Sequence, residues 1–260
     1  MDRTDSFSAV ALLVMVVLAG CDEPCPFIGC PPLPDPMNQS VSGVWNGQAV
    51  GFINTTDDIR CVVAETLEVA CVLTDPVTDE IIGAAQATVQ VTNIDQVSGT
   101  GTLYAAPGFV LFDGSNVAAL TITGGSVSER NTLDLTVDAA GTTTTVSTTY
   151  DAIYERGSDL ATVAAVYTTF DIFGDTSSFV IDANGAISGQ SAAGCVLDGL
   201  VIISDATFNA YDVVLDLASC GGLDGEYNGL GLTQDMNATD DVFLFGVFTS
   251  QTAIIGAPVK

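Results

Sequence analysis

Any chemistry this chain performs has to come from carboxylates and thiols. The sequence holds 32 Asp and Glu, 7 Cys, 5 Lys and Arg, and no His. The missing imidazole removes Ser-His-Asp and Cys-His catalysis, His-ligated zinc and histidine pH switching together. A Ser-x-x-Lys nucleophile is excluded as well, because the only lysine is Lys260. Two carboxylate chemistries remain. Acids facing each other at about 5 to 10 Å can hydrolyse a glycosidic bond without histidine, and roughly six to eight clustered oxygens can hold calcium.

Three acidic stretches are candidates for the second. Asp235, Asn237, Asp240 and Asp241 place several oxygens within one short loop, and Asn54-Thr55-Thr56-Asp57-Asp58 offers a similar group. Asp182-Ala183-Asn184-Gly185 starts like a calcium loop but lacks the later acidic ligand. None has EF-hand spacing, so solvated loops and hairpin turns explain them too, and calcium stays open as a cofactor. For hydrolysis, the carboxylates are too many for the sequence to select a pair. Arg60, Arg130 and Arg156 are expected to pair with carboxylates, with an anionic ligand as the alternative for any one of them.

The net charge is −27. Without residues 1–20, which carry Asp2, Arg3 and Asp5, the chain keeps 4 basic and 30 acidic residues and a charge of −26. Such a field repels nucleic acid and anionic headgroups, so polyphosphate-binding classes are set aside. The acids are spread along the chain, which fits solubility or a salty medium better than one metal site. A hydrophobic fraction of 48% leaves ample surface to bury and argues against a disordered chain.

Residues 10–18 form an apolar run followed by the small pair Ala19-Gly20, the pattern of an export signal. The run is shorter than the ~20 residues that span a bilayer as a helix. Leu18-Ala19-Gly20-Cys21 resembles the lipobox of bacterial lipoprotein precursors. The resemblance implies removal of residues 1–20 and acylation of the Cys21 thiol by diacylglycerol, with palmitate-type chains. It places the mature chain on a membrane of the bacterial cell envelope, facing the periplasm or the exterior. Lipid at Cys21 leaves six cysteines, and local spacing suggests Cys25 with Cys30, Cys61 with Cys71, and Cys195 with Cys220. Thiolate metal ligation is the alternative, disfavoured by the lack of His and of any Cys-x-x-Cys.

Residues 21–41 are rich in proline, which lacks an amide donor and fixes φ, and are expected to be a disordered tether. Beyond them come short Val, Thr, Ile and Phe runs punctuated by Gly, Asn and Asp. Period-two alternation in residues 87–91, 132–137 and 211–217 reads as half-buried strand. The best helical stretch is 158–166. Two segments read alike: Ile94-Asp95, Val97-Ser98-Gly99, Asp113-Gly114 and Leu133-Asp134-Leu135 match Ile181-Asp182, Ile187-Ser188-Gly189, Asp198-Gly199 and Leu215-Asp216-Leu217 in order. The expectation is an all-β protein, an antiparallel meander forming a barrel or sandwich, with two related β-modules at 42–157 and 158–260.

Gly43-Val44-Trp45 resembles the Gly-x-Trp opening of lipocalin-type barrels, which implies a Trp plugging one barrel end and an interior able to carry a small apolar ligand. A core Trp on a first strand accounts for the same residues. The lipobox, the proline-rich stretch and Tyr-Asp-x-x-Tyr-Glu-Arg at 150–156 together look like uncharacterised bacterial envelope lipoproteins. The expected role is non-catalytic: binding a small ligand or another envelope protein, or structural support, with membrane lipid as the anchoring partner and no nucleic acid. A lipocalin-like carrier and a carboxylate hydrolase are the alternatives.

Overall fold

The computed structural model describes residues 38–170, 176–191 and 194–260. The stretch expected to be an export signal, and Cys21, Cys25 and Cys30, lie outside the described residues.

The β-branched alternation of the first half builds eight strands: β1 (Gly43–Ala49), β2 (Asp57–Val63), β3 (Glu68–Thr74), β4 (Ile81–Thr92), β5 (Gln96–Ala105), β6 (Val117–Ser128), β7 (Thr132–Ala139) and β8 (Thr142–Asp151). Each pairs antiparallel with the next, and β8 returns to β1, so the sheet closes into a barrel. Closure removes every free edge. The alternation decides what lies inside. In β7, Leu133 and Val137 are buried in the core, whereas Asp134 between them faces water.

Tight strand contact needs glycine. A Cβ on Gly47 of β1 would sit 2.0 Å from the Ser147 carbonyl oxygen of β8, so no other residue fits without moving the backbone. Trp45, also on β1, is completely buried. Its indole Nε1 donates to the Val41 carbonyl (2.9 Å), and its ring meets Tyr150 edge-on at 5.4 Å. Residues 38–41 enter at this end of the barrel, where Asn38 donates to the Val91 carbonyl and the Gln39 amide to that of Ile94.

After β8 come a 3-10 turn (Ala152–Arg156) and one short helix, α1 (Leu160–Val163). The Asp151 carboxylate caps the turn through the Ile153 amide, and Asp159 caps α1 through the Ala161 amide. The helix is shorter than the stretch 158–166. Ala165 already begins a strand, because Tyr167 finds a buried place in a second sheet.

That sheet holds β9 (Ala165–Phe170), β10 (Thr176–Ile181), β11 (Ala186–Gln190), β12 (Val196–Ile202), β13 (Tyr211–Ala218), β14 (Gly225–Gln234), β15 (Val242–Phe248) and β16 (Ala253–Gly256), again in chain order and antiparallel. It curls around its own core of Tyr167, Ile181, Val213, Leu215, Tyr227 and Phe243. Val259 bridges Thr168 of β9 and Val242 of β15, so the far end of the chain stitches the first strand to the seventh.

Two of the four repeat matches fall at corresponding places, β5 with β11 and, two strands further on, β7 with β13. The Ile-Asp pairs do not: Ile94 is exposed in a turn at φ 79, whereas Ile181 ends β10 inside the core. Nor do the Asp-Gly pairs. Gly114 lies in an open loop at φ 82, whereas Gly199 lies inside β12, where a Cβ would fall 2.2 Å from the Val214 carbonyl. The two Asp-Gly pairs serve unrelated needs, one a turn and the other a close strand crossing.

A third apolar cluster joins the two sheets. Val44, Val62, Ala70, Ala84 and Tyr104 on the outer surface of the barrel pack with Leu230, Leu232 and Phe248 of the second sheet. The Tyr104 hydroxyl donates across this seam to the Thr249 carbonyl at 2.6 Å.

Candidate functional site

One connected set of polar side chains lies around residues 150–156. Tyr150 donates to the Glu155 carboxylate (2.6 Å), which also holds Arg130 at 3.1 Å. Burial and the adjacent Glu155 both push the Tyr150 hydroxyl well above the ordinary tyrosine range, so it stays a proton donor. Tyr154 is buried, stacks on Phe208 at 4.8 Å and donates to Glu65; burial first, and then Glu65, raise it as well. Asp151 accepts from Asn46 (2.9 Å) and stands 3.5 Å from Arg60. Arg156 reaches the other way and grips Asp235 with two bonds of 2.6 and 2.8 Å, with Asp240 at 3.4 Å. One seven-residue stretch therefore ties the barrel to the second sheet by charge as well as by packing.

Asn209 completes the tie. Its side chain is wholly buried, donating to the carbonyls of Thr233 (2.8 Å) and Ile153 (3.2 Å) and accepting from the Thr233 amide (2.9 Å) and hydroxyl (3.0 Å). β13 pairs with β14 only as far as Gly231, so the Asn209 amide stands in for the missing strand opposite Thr233. Sequence reasoning did not find it. A lone Asn before an alternating run reads as a turn residue, and only the tertiary fold supplies Thr233.

The acidic loops resolve into hairpin turns. Asp241 accepts from the amides of Met236, Asn237 and Ala238, and these bonds, set against its desolvation, hold its carboxyl below the ordinary range. Asp57 does the same at the β1–β2 loop, accepting from Phe52, Ile53 and Asn54, but deeper burial outweighs those bonds and raises it. In both loops the acceptor sits three to five residues after its donors. Asp235 and Asp240 belong to Arg156, and the bond to Arg156 brings Asp235 down to about 2. Asn237 contributes its backbone amide to Asp241. Asp182 likewise accepts from the amides of Asn184 and Ala186 in a β10–β11 turn. No group of three or more Cys, Asp or Glu among the described residues is placed to hold a metal ion.

Two disulfides are formed among the described residues. Cys61 and Cys71 stand directly opposite each other on β2 and β3 and close the first hairpin inside the barrel. Cys195 joins Cys220 next to the β12–β13 pair. The barrel axis itself is filled by Trp45, Phe52, Leu73, Ile82, Leu103 and Leu111, all buried to 2% exposure or less.

Two crevices lie outside the barrel, along the seam. One, of about 330 Å³, is lined by Glu68, Gln86, Thr100 and Thr102 of the barrel and Asn228 and Phe248 of the second sheet. The other, of about 590 Å³, has Asn46, Asp58, Arg60 and Val72 on one side and Gln234 and Leu244 on the other. Among the described residues Arg60 makes only its long contact with Asp151, and its buried Nε has no partner. No helix among the described residues is long and apolar enough to cross a membrane.

Comparison with protein-family models finds no match, and neither curated proteins nor solved structures give one.

Proposed function

We propose that this is a lipid-anchored protein of the bacterial cell envelope that acts through its surfaces, in a non-catalytic binding or structural role. The observation that carries the proposal is the state of its thiols. Cys61–Cys71 and Cys195–Cys220 are both paired, as expected of a chain delivered to an oxidising compartment, and if Cys25 pairs with Cys30 as their spacing suggests, Cys21 is the thiol free for the lipid. Acylation through diacylglycerol supplies two chains, enough for stable attachment without a spanning segment. The filled barrel axis supports a role for the outer surfaces over that of a carrier with an interior ligand.

Intact-mass measurement of the protein from the membrane fraction tests this. The expected mass is that of residues 21–260 with three disulfides plus a diacylglycerol and an acyl group. Recovery of residues 1–20 on the mature chain, or of an unmodified Cys21, refutes the anchor.

A further inference from the structure

We propose that the barrel end remote from residue 38 is a docking surface for a basic, amphipathic polypeptide segment. In a closed up-and-down barrel the loops alternate between the two ends. Residues 38–40 are bonded to the β4–β5 turn and to Glu129 of the β6–β7 turn, which fixes the end where the chain enters. The β1–β2, β3–β4, β5–β6 and β7–β8 connections therefore share the opposite end.

At that end the loops divide their apolar residues into two sets. Phe52 and Leu111 turn inward and seal the mouth of the barrel. Val50, Val77, Val110 and Phe112 turn outward, and they are 51%, 88%, 53% and 65% exposed. They account for four of the eleven large apolar residues exposed on the described chain, on three neighbouring loops. Isolated exposed apolar residues need no explanation, but a group at one pole of a barrel points to contact with something. The loops are held in place: Asn54 of one donates to Asp75 of the next at 3.1 Å, and Asp75 accepts from the amides of Val77 and Thr78. The apolar tips are thus presented on turns that are already ordered, which lowers the entropy lost on docking.

Charge selects the occupant. Asp75, Asp79, Glu80 and Asp113 lie in these same connections and Asp138 near the end of β7, and none of the four connections contains a Lys or Arg. A partner must place apolar side chains on Phe112 and Val77 and cations beside the carboxylates, which describes a segment with Lys or Arg flanking a Leu-rich face. An anionic bilayer is repelled by the same carboxylates, and a second copy of this chain would bring like charge against like. This inference goes beyond the anchored-protein reading and stands without it, since it uses only the barrel.

The test uses the purified full chain and a fluorescein-labelled Leu/Lys peptide of about 14 residues, roughly four helical turns, followed by anisotropy. A Ser/Lys peptide of the same charge and neutral phosphatidylcholine vesicles are the comparison probes. Saturable binding of the Leu/Lys peptide is expected, weakened roughly tenfold or more in V77S/F112S, as loss of two apolar anchors requires. D79N/E80Q should weaken it about threefold and flatten its salt dependence. V166S/V180S, on the second sheet, should leave it unchanged. Trp45 fluorescence reports that each variant keeps its barrel. Equal affinity of V77S/F112S and the parent chain overturns the proposal, as does binding of the Ser/Lys peptide as tight as that of the Leu/Lys peptide. Binding of the rim to the neutral vesicles in place of the peptide overturns it too, in favour of a lipid surface.

Discussion

Replacing Asn209 with Ala removes a side chain that imitates a peptide group. Its amide completes the pairing of Thr233 beyond the end of β13 and reaches the Ile153 carbonyl in the connection from the barrel. In N209A the Thr233 amide, the Thr233 carbonyl and the Ile153 carbonyl lose these bonds inside a buried site, while the Thr233 hydroxyl keeps Asp240 at 2.9 Å. At roughly 1 kcal/mol or somewhat more per orphaned group, the loss is about 3 to 4 kcal/mol. For a body of this size that corresponds to a fall in Tm of roughly 6 to 15 °C. Urea unfolding followed by Trp45 fluorescence and by far-UV circular dichroism measures it. A loss under about 1 kcal/mol would refute the reasoning, since water would then serve Thr233 as well as Asn209 does. N209D sharpens the test. It keeps the acceptor and loses both donors at neutral pH, so its deficit should shrink as acid restores a carboxyl proton.

The remaining predictions address other parts of the molecule. Removing the hairpin disulfide with C61A/C71A should cost roughly 2 to 3 kcal/mol, the closure entropy of a loop of about ten residues, read as a shifted denaturation midpoint under oxidising conditions. W45A should cost about 3 to 5 kcal/mol by leaving a cavity at the barrel end, and since Trp45 is the only tryptophan, its calorimetric transition must be used in place of fluorescence. Asp235 titrates at about 2 in the folded protein against an ordinary 3.8, so its contribution is complete above the ordinary value and lost as pH falls toward 2. The stability gap between the parent chain and D235N should therefore be constant above about pH 5 and close between roughly 4 and 2; a gap that persists unchanged at pH 2 would contradict the pairing with Arg156.

Strand periodicity was legible because a half-buried strand writes its environment into every second residue. The segments 132–137 and 211–217 became β7 and β13, with Leu133 and Val213 inside and Asp134 outside. The Cys61–Cys71 and Cys195–Cys220 bonds were legible because both are local hairpin contacts. What the sequence hides is the seam. Val44, Val62 and Ala70 alternate with residues of the barrel core and are themselves buried, but against another sheet, and nothing in a period of two tells solvent from a neighbouring module. The acids of residues 235–241 were legible as a cluster and not as two systems, because the division depends on Arg156, which arrives from about 80 positions upstream. Asp57 and Asp241 likewise look like metal ligands in one dimension and prove to be turn caps in three.

The bridge made by Val259 has a consequence for how the molecule is made. Every hydrogen bond that closes the barrel is available once residue 151 has been synthesised, whereas the first strand of the second sheet must wait for residue 259 before its outer edge gains a partner at Thr168. Until then β9 offers bare amides and carbonyls to any passing strand. A shortened or blocked carboxyl terminus would prolong that interval, so the yield of soluble protein should depend on a few residues that contribute almost nothing to either core.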